Sequence, residues 1–186
     1  LFYFDAWLDD FLLYIRFSNI NIINSYGYQA VFFLSRTVVR LYMCDNETLF
    51  EYGGFTEMLE KVKPTFDKIG LKININNHFE EWNDEKAWLN HRITINGTDY
   101  TIFKNFKYYG WGEAVARFAQ IVNQEAEKQS VEERIYLAHG GNDGFMIFLT
   151  KELYQYIYSV HNDKLSKPLE VGEWMNVMQV KPMSYD

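Results

Sequence analysis

The sequence predicts an α+β fold with one antiparallel sheet of about five strands and three to four helices packed mainly on one of its faces. Two turn signals, Asn96-Gly97 and Gly140–Gly144, each separate alternating apolar runs and therefore predict hairpins, whose strands are antiparallel. Segments with apolar residues spaced by three and four separate these hairpins, whereas the strand-helix repeats of a parallel sheet are missing. No linker-like stretch divides the chain. We therefore expect a single domain over residues 1–186, with a partly irregular C-terminal tail over 161–186.

The N-terminal third predicts one helix and one ambiguous segment. Residues 2–17 place apolar side chains at helical spacing, with most acidic residues on the other face. Residues 28–43 fit a helix at their start and a strand at their end, and the sequence leaves the two alternatives open. Acidic and turn-forming residues over 45–54 predict a connection to the next helix.

A clearer amphipathic pattern predicts a helix over 55–69. Pro64 lies inside it, so we expect a kink or two short helices, because proline lacks a backbone donor and clashes with the preceding turn. Gly70 is expected to end this helix. The alternation that follows predicts a strand containing Leu71, Ile73 and Ile75.

The C-terminal half gives the strongest local signals. A hairpin over 92–103 turns at Asn96-Gly97, and a helix is expected from Trp111 to about residue 126. A second hairpin over 134–149 turns at 140–144. Thr150 is then expected to cap the final helix, since its hydroxyl can accept a free backbone N–H. Trp174 and its apolar neighbours indicate that part of the tail packs against the domain.

Composition and charge exclude several classes of protein. A net charge of −7 and a pI near 5.1 argue against nucleic-acid binding, which requires clustered lysine and arginine. No uninterrupted run of about 20 apolar residues predicts a membrane span. The single cysteine, Cys44, excludes an internal disulfide and multi-cysteine metal sites, and a reducing, cytoplasmic location is expected. The chain begins at Leu1, so the sequence leaves open whether a leader precedes it.

His139 is the best candidate for acid-base chemistry, with Asp143 or Glu113 as its carboxylate partner in a cleft. A hairpin turn alone accounts for the following Gly-Gly-Asn-Asp-Gly loop, because such a turn requires these residue types. The structural turn is therefore the favoured interpretation. Cys44 as a nucleophile has no motif to support it, and a small buried hydrophobe is the favoured reading. The sequence therefore assigns no catalytic residue.

His78 and His91 flank an acidic segment that contains Glu80, Glu81, Asp84 and Glu85. Mixed imidazole and carboxylate ligands can bind a metal ion, but the spacing matches no zinc or calcium motif. A solvated acidic connection is the favoured interpretation. We accordingly expect neither a metal nor another cofactor.

The favoured function is a non-enzymatic binding protein that engages a basic protein partner. Tyrosine and tryptophan are enriched at interface centres, and an acidic surface accelerates encounter with a basic protein. The expected contact elements are the acidic segment over 80–85, the turn over 108–111 and the loop over 140–144. Their candidate binding residues are Glu80, Glu81, Asp84, Glu85, Tyr108, Tyr109, Trp111, Asn142 and Asp143.

In size, charge and predicted architecture the chain resembles the small acidic α+β immunity proteins that neutralise bacterial toxins. The resemblance covers no diagnostic motif and assigns no residue roles. It agrees with the favoured function, a protein that binds a basic partner. The alternative is a small-ligand-binding protein or enzyme that uses His139, and the sequence leaves the oligomeric state open.

Overall fold

The computed structural model describes residues 41–83, 88–107, 109–161, 163 and 166–182. Residues 42–186 form one compact unit. The helix expected over 2–17 and most of the ambiguous segment over 28–43 lie outside the described residues. The expectation of one domain over 1–186 thus stays a prediction.

Six strands and five helices make up the described part of the chain. In order they are β1 Leu41–Asp45, α1 Asn46–Phe50, α2 Gly54–Ile69, β2 Ile75–Asn83, β3 Trp88–Ile95, β4 Thr98–Phe106, α3 Trp111–Lys128, β5 Arg134–Ala138, β6 Asp143–Leu149, α4 Lys151–Val160 and α5 Val171–Val177. The α+β class is confirmed.

The strands form two three-stranded sheets rather than the single sheet of about five strands that the sequence predicts. One sheet has the order β1-β6-β5 and the other β2-β3-β4. Helix α3 contacts both β4 and β5, so the two sheets share this helix. Periodicity identified each hairpin, but it carries no information on whether the edges of two hairpins pair with each other. The expected packing of helices on one face of one sheet is corrected accordingly.

Both predicted hairpins are confirmed. In the first, Ile95 pairs with Thr98 across a turn in which Asn96 and Gly97 have φ angles of 50° and 77°. Two consecutive positive φ angles are the requirement of a type I′ turn, and asparagine followed by glycine adopts them at low cost. In the second, Ala138 pairs with Phe145.

Helix α2 is continuous through Pro64, so the alternative of two short helices is wrong. The bond that proline cannot make would have ended on the carbonyl of Glu60, one turn earlier. Both Pro64 and Glu60 are exposed, so water can replace that bond. Gly70 ends the helix as expected, with φ 77° and its N–H donated to the Phe66 carbonyl.

Strand β2 is displaced from the expected position. The segment from Leu71 to Asn74 precedes the strand, and the Leu71 N–H still closes the helix end by donating to Phe66. The strand runs from Ile75 to Asn83, through residues that the sequence analysis interpreted as a solvated acidic connection. It is an edge strand with one solvated face, so its polar sequence lacks a strong alternating signal.

Helix α1 occupies the segment where turns were expected. The Asp45 carboxylate caps it by accepting the Thr48 N–H at 3.0 Å. Leu49 and Phe50 are buried, so this short helix belongs to the core. A five-residue helix is too short to show helical periodicity, which explains why the pattern was missed.

The C-terminal predictions are confirmed where the structure describes them. The Thr150 hydroxyl accepts the Leu153 N–H at the start of α4. Leu169 forms backbone hydrogen bonds with Leu137 of β5, and Trp174 of α5 is 1% exposed. The tail therefore packs against the hairpin of β5 and β6. None of the helices that the structure describes has the length and apolarity to cross a bilayer.

A buried polar network joins α3 to the hairpin of β3 and β4. Glu125 is 1% exposed, and its carboxylate accepts hydrogen bonds from Tyr100, Lys128 and Asn96. Burial raises the pKa of Glu125, but the bonds from Lys128, Tyr100 and Asn96 oppose it and the net direction is downward. The folded state therefore favours the ionised carboxylate.

We expect Glu125→Gln to flatten the acid limb of the stability profile. A carboxyl whose folded pKa is depressed contributes stability above its unfolded pKa, and this contribution is lost as the pH falls through the folded pKa. Wild type should thus lose more of its unfolding free energy than the variant when urea titrations go from about pH 7 to about pH 3. Tyr100→Phe at neutral pH should cost roughly 1.5–3 kcal/mol, since it removes a buried bond to a charged group. Parallel acid profiles for wild type and Glu125→Gln would contradict the assignment.

Candidate functional site

Two histidines and a glutamate meet on one face of the β2–β3 ladder. Glu80 of β2 is the direct cross-strand partner of His91 on β3. His78 precedes Glu80 by two residues, so the alternation of a strand puts it on the same face. We call His78, Glu80 and His91 the histidine–glutamate cluster.

The polar atoms of this cluster lie close together. The Nε2 atoms of His78 and His91 are 2.9 Å apart. A Glu80 carboxylate oxygen lies 3.8 Å from His78 Nε2, and the other lies 3.9 Å from His91 Nδ1. One ligand atom from each of the three residues lies within 4.8 Å of the other two. The spacing allows one bound ion to contact all three side chains.

Burial and hydrogen bonds hold the cluster in place. The Glu80 and His91 side chains are 2% and 3% exposed, whereas His78 retains 26%. The Glu80 carboxylate accepts the Gly53 N–H at 3.0 Å and the Trp82 indole N–H at 3.4 Å. Burial, with a smaller contribution from His78, lowers the pKa of His91 to about 3. His91 is therefore a neutral imidazole at neutral pH.

The sequence places carboxylates that could join the two histidines as metal ligands between them, but its favoured interpretation is a solvated connection. The histidines were described as flanking a solvated connection, and Glu80 was counted among exposed contact residues. The signal was the alternation of His78 and Glu80, but it requires knowing that 75–83 is a strand paired with 88–95. The interpretation as a solvated connection is corrected for the described residues of this segment.

A second feature is a set of exposed aromatic side chains around Phe50. Tyr52 is 73% exposed, Trp82 40% and Tyr109 86%. The Phe50 ring packs edge-on against Trp82 at 5.3 Å. Tyr52 follows Phe50 by two residues. We call Tyr52, Trp82 and Tyr109 the aromatic rim.

Gly110 connects Tyr109 to the same ring. A Cβ atom at Gly110 would lie 2.7 Å from Phe106 and 3.0 Å from Phe50. The backbone before α3 therefore lies directly on these two rings, which only glycine permits. Trp111 is half-buried and packs against the core, with its ring centre 6.2 Å from that of Tyr109. The rim thus includes part of two predicted contact elements, the β2 end and the Tyr109–Trp111 turn.

The third predicted contact element, the 140–144 loop, lies at the start of α1. Asn46 donates its backbone N–H to the Asn142 carbonyl and its side-chain amide to the Gly141 carbonyl, both at 2.8 Å. Phe50 ends the same helix. Since a helix rises about 1.5 Å per residue, Asn46, which bonds the loop, and Phe50, which packs on Trp82, are about 6 Å apart along the α1 axis. Asn142 and Asp143 are exposed.

The remaining candidate binding residues are placed unevenly. Glu81 is exposed on β2, next to the rim. Glu80 is buried in the histidine–glutamate cluster, so it presents no carboxylate to a partner surface. Asp84, Glu85 and Tyr108 lie outside the described residues.

His139 follows β5 with a φ of 57° and is half-buried. Its ring packs edge-on against Phe145 at 5.5 Å, and burial lowers its pKa. Two clefts formed by described residues, of about 540 and 330 Å³, are lined by other residues than His139. Its suggested partners Asp143 and Glu113 are exposed and half-buried, respectively. His139 thus lines neither of these two clefts, and its role as an acid or base stays a prediction.

Cys44 is 1% exposed within β1. Burial raises the pKa of its thiol to about 12. A thiol in this state is a poor nucleophile, because the thiolate is the reactive form. The interpretation of Cys44 as a small buried hydrophobe is confirmed.

Comparison of the chain with protein-family models, with curated proteins and with solved structures found no significant match.

Proposed function

We propose that the protein is a non-enzymatic binding module that engages a basic protein partner through the aromatic rim. One observation carries the proposal: exposed Trp82 packs on the buried Phe50 ring, and exposed Tyr52 and Tyr109 directly neighbour, in sequence, the backbone at Phe50 and at Gly110. Large aromatic side chains with polar tips bury much area at little cost in side-chain entropy, which suits them to the centre of an interface.

Exposed carboxylates accompany the rim. Glu47 and Glu51 lie on and directly after α1, and Glu81 precedes Trp82 on β2. With a net charge of −7, these carboxylates favour a partner with lysine and arginine around an apolar centre. An immunity-like role, in which the partner is a basic toxin and the site of action is the cytoplasm, is the narrower form of the proposal. It is supported by size, charge and architecture.

The test is a comparison of retained proteins rather than capture alone. Wild type, Tyr52→Ala/Tyr109→Ala and Glu51→Lys/Glu81→Lys are immobilised, exposed to extract from the source cell at low salt, and eluted at moderate salt. We expect wild type to retain a basic protein that both double variants lose. Loss of an interface aromatic commonly costs about 2 kcal/mol or more, which weakens binding by about 30-fold. Reversal of the carboxylates beside the rim should mainly slow association and change its salt dependence.

Glu127→Lys/Glu132→Lys is the matched control, because it makes the same change in net charge at exposed positions at the far end of α3. It should retain the partner as wild type does. If this control lost the partner as completely as Glu51→Lys/Glu81→Lys does, the loss would be due to net charge alone and not to the position of the carboxylates. The proposal would be overturned if the tyrosine double variant and the glutamate double variant both retained the basic protein, or if wild type retained no protein.

A further inference from the structure

The histidine–glutamate cluster presents a donor set that suits a transition metal. Imidazole nitrogen and carboxylate oxygen are the ligands of catalytic zinc sites with two histidines and one glutamate, and of non-haem iron sites. All three donors project from paired strands, which fix their positions better than a loop can. His78 and Glu80 come from β2 and His91 comes from β3, so two paired strands supply the donors.

The distances lie in the range that one ion spans. Bonds of about 2.0–2.1 Å in a tetrahedral shell put ligand atoms about 3.3 Å apart. The measured separations of 2.9 Å between the two Nε2 atoms and 3.8 Å between Glu80 and His78 lie on either side of this value. The remaining separation, 3.9 Å between Glu80 and His91 Nδ1, involves the other ring nitrogen of His91. Side-chain rotation is therefore needed to close the shell, and His78 is the most exposed of the three side chains.

The electrostatics of the cluster favour a cation. In the described part of the chain, the ion-pair partners of the Glu80 carboxylate are the two imidazoles, and no lysine or arginine takes that role. A buried carboxylate without a cation is costly, and a bound metal ion would neutralise it.

The surroundings of Glu80 resemble the support that metal ligands require. The Gly53 N–H and the Trp82 indole N–H orient its two oxygens. Such outer hydrogen bonds hold a ligand in position and are costly to remove. The Phe55 ring packs edge-on against His91 at 5.5 Å and shields that side from water.

We propose that His78, Glu80 and His91 bind one divalent transition-metal ion, with Zn²⁺ as the preferred ion and water completing the coordination shell. The site adjoins the aromatic rim, because Trp82 donates its indole N–H to Glu80, but neither proposal depends on the other. Three protein ligands leave a coordination position open on the His78 side, where the cluster reaches solvent.

The experiment is a titration of the purified full chain with ZnCl₂ in a calorimeter, after treatment with a chelator and exhaustive dialysis. We expect one Zn²⁺ per chain for wild type. His78→Gln should weaken binding by more than about tenfold, because loss of even an outer hydrogen bond has an effect of that size. His161→Gln is the matched control, since His161 bonds Ser166 at the end of α4 and should leave the affinity unchanged.

Thermal unfolding and a second variant test the site independently of how well His78→Gln folds. Saturating Zn²⁺ should raise the melting temperature of wild type and of His161→Gln, but not that of His78→Gln. Glu80→Gln, checked by circular dichroism, should lose Zn²⁺ binding as well. MgCl₂ should not compete, because Mg²⁺ prefers an all-oxygen shell.

Wild type without saturable one-to-one binding would overturn the proposal, as would equal affinities for wild type and His78→Gln. Equal binding of Mg²⁺ would also overturn it, since the site would then not select for nitrogen ligands.

Discussion

Gly54→Ala is expected to destabilise the protein by about 3 kcal/mol or more, at the upper end of the range for overpacking. A Cβ atom at Gly54 would lie 1.8 Å from the Thr48 carbonyl oxygen and 3.0 Å from the Leu49 Cα atom. Both are backbone atoms of α1, so no side-chain rotation relieves the clash. Helices α1 and α2 must move apart, which exposes Leu49 and Phe50. Urea unfolding followed by circular dichroism measures the loss.

Gly172→Ala is the matched control. Gly172 lies in α5, and an added Cβ atom there meets nothing within 4 Å. Alanine favours a helix by about 1 kcal/mol over glycine, so this variant should be as stable as wild type or slightly more stable. If Gly54→Ala unfolds at the same urea concentration as Gly172→Ala, the close contact of α1 with α2 is wrong.

Trp174→Ala is expected to cost about 3–5 kcal/mol, as truncation of a large core side chain does. Trp174 is 1% exposed and is the anchor of α5. Its indole N–H donates to the His139 carbonyl at 2.5 Å, so the residue also holds the loop between β5 and β6. Thermal unfolding should show the loss. Limited proteolysis should cut the tail after Val160 in the variant before it cuts wild type, because α5 is released.

Trp174→Phe separates the two contributions. The phenyl ring retains most of the packing but cannot donate to His139, so a loss of about 1–3 kcal/mol is expected from the unsatisfied carbonyl and the smaller ring. Val177→Ala serves as the control on the same helix, since Val177 is 40% exposed. Similar proteolysis rates for Trp174→Ala and Val177→Ala would show that Trp174 does not anchor the tail.

The features that the sequence predicted correctly are those specified locally. Asn96-Gly97 specifies a turn through the φ angles it tolerates, and Thr150 and Gly70 specify helix ends through a hydroxyl acceptor and a left-handed backbone. Each effect acts within a few residues. Helices α2, α3 and α4 follow from apolar stripes that one helix shows by itself.

The features that were missed depend on contacts between distant segments. Strand β2 is polar because it borders solvent, and it is a strand because β3 supplies hydrogen bonds to it. The division into two sheets depends on β1 lying beside β6. Neither fact is encoded in a local period, whereas the alternation from Leu71 to Ile75 predicts a strand that the structure places later, at Ile75–Asn83.

The site residues show the same limit. The sequence shows two histidines beside a run of carboxylates, but it does not show which carboxylate meets them, because the direct pairing of Glu80 with His91 depends on the register between two strands. The aromatic rim depends on Phe50, whose helix the sequence did not reveal. The sequence shows which residue types are present, whereas which of them lie next to each other is determined by the fold.

The two sheets differ in the length of chain that must be present before each can close. Strands β2, β3 and β4 follow one another over residues 75–106, so their pairing is local and should form fast. Strand β1, at residues 41–45, finds its neighbour β6 only at residues 143–149. During synthesis, His78, Glu80 and His91 can therefore come together before residues 143–149, which form the strand that pairs with β1, have been made. The histidine–glutamate cluster belongs to the early part of the molecule, and the sheet that contains Cys44 is completed late.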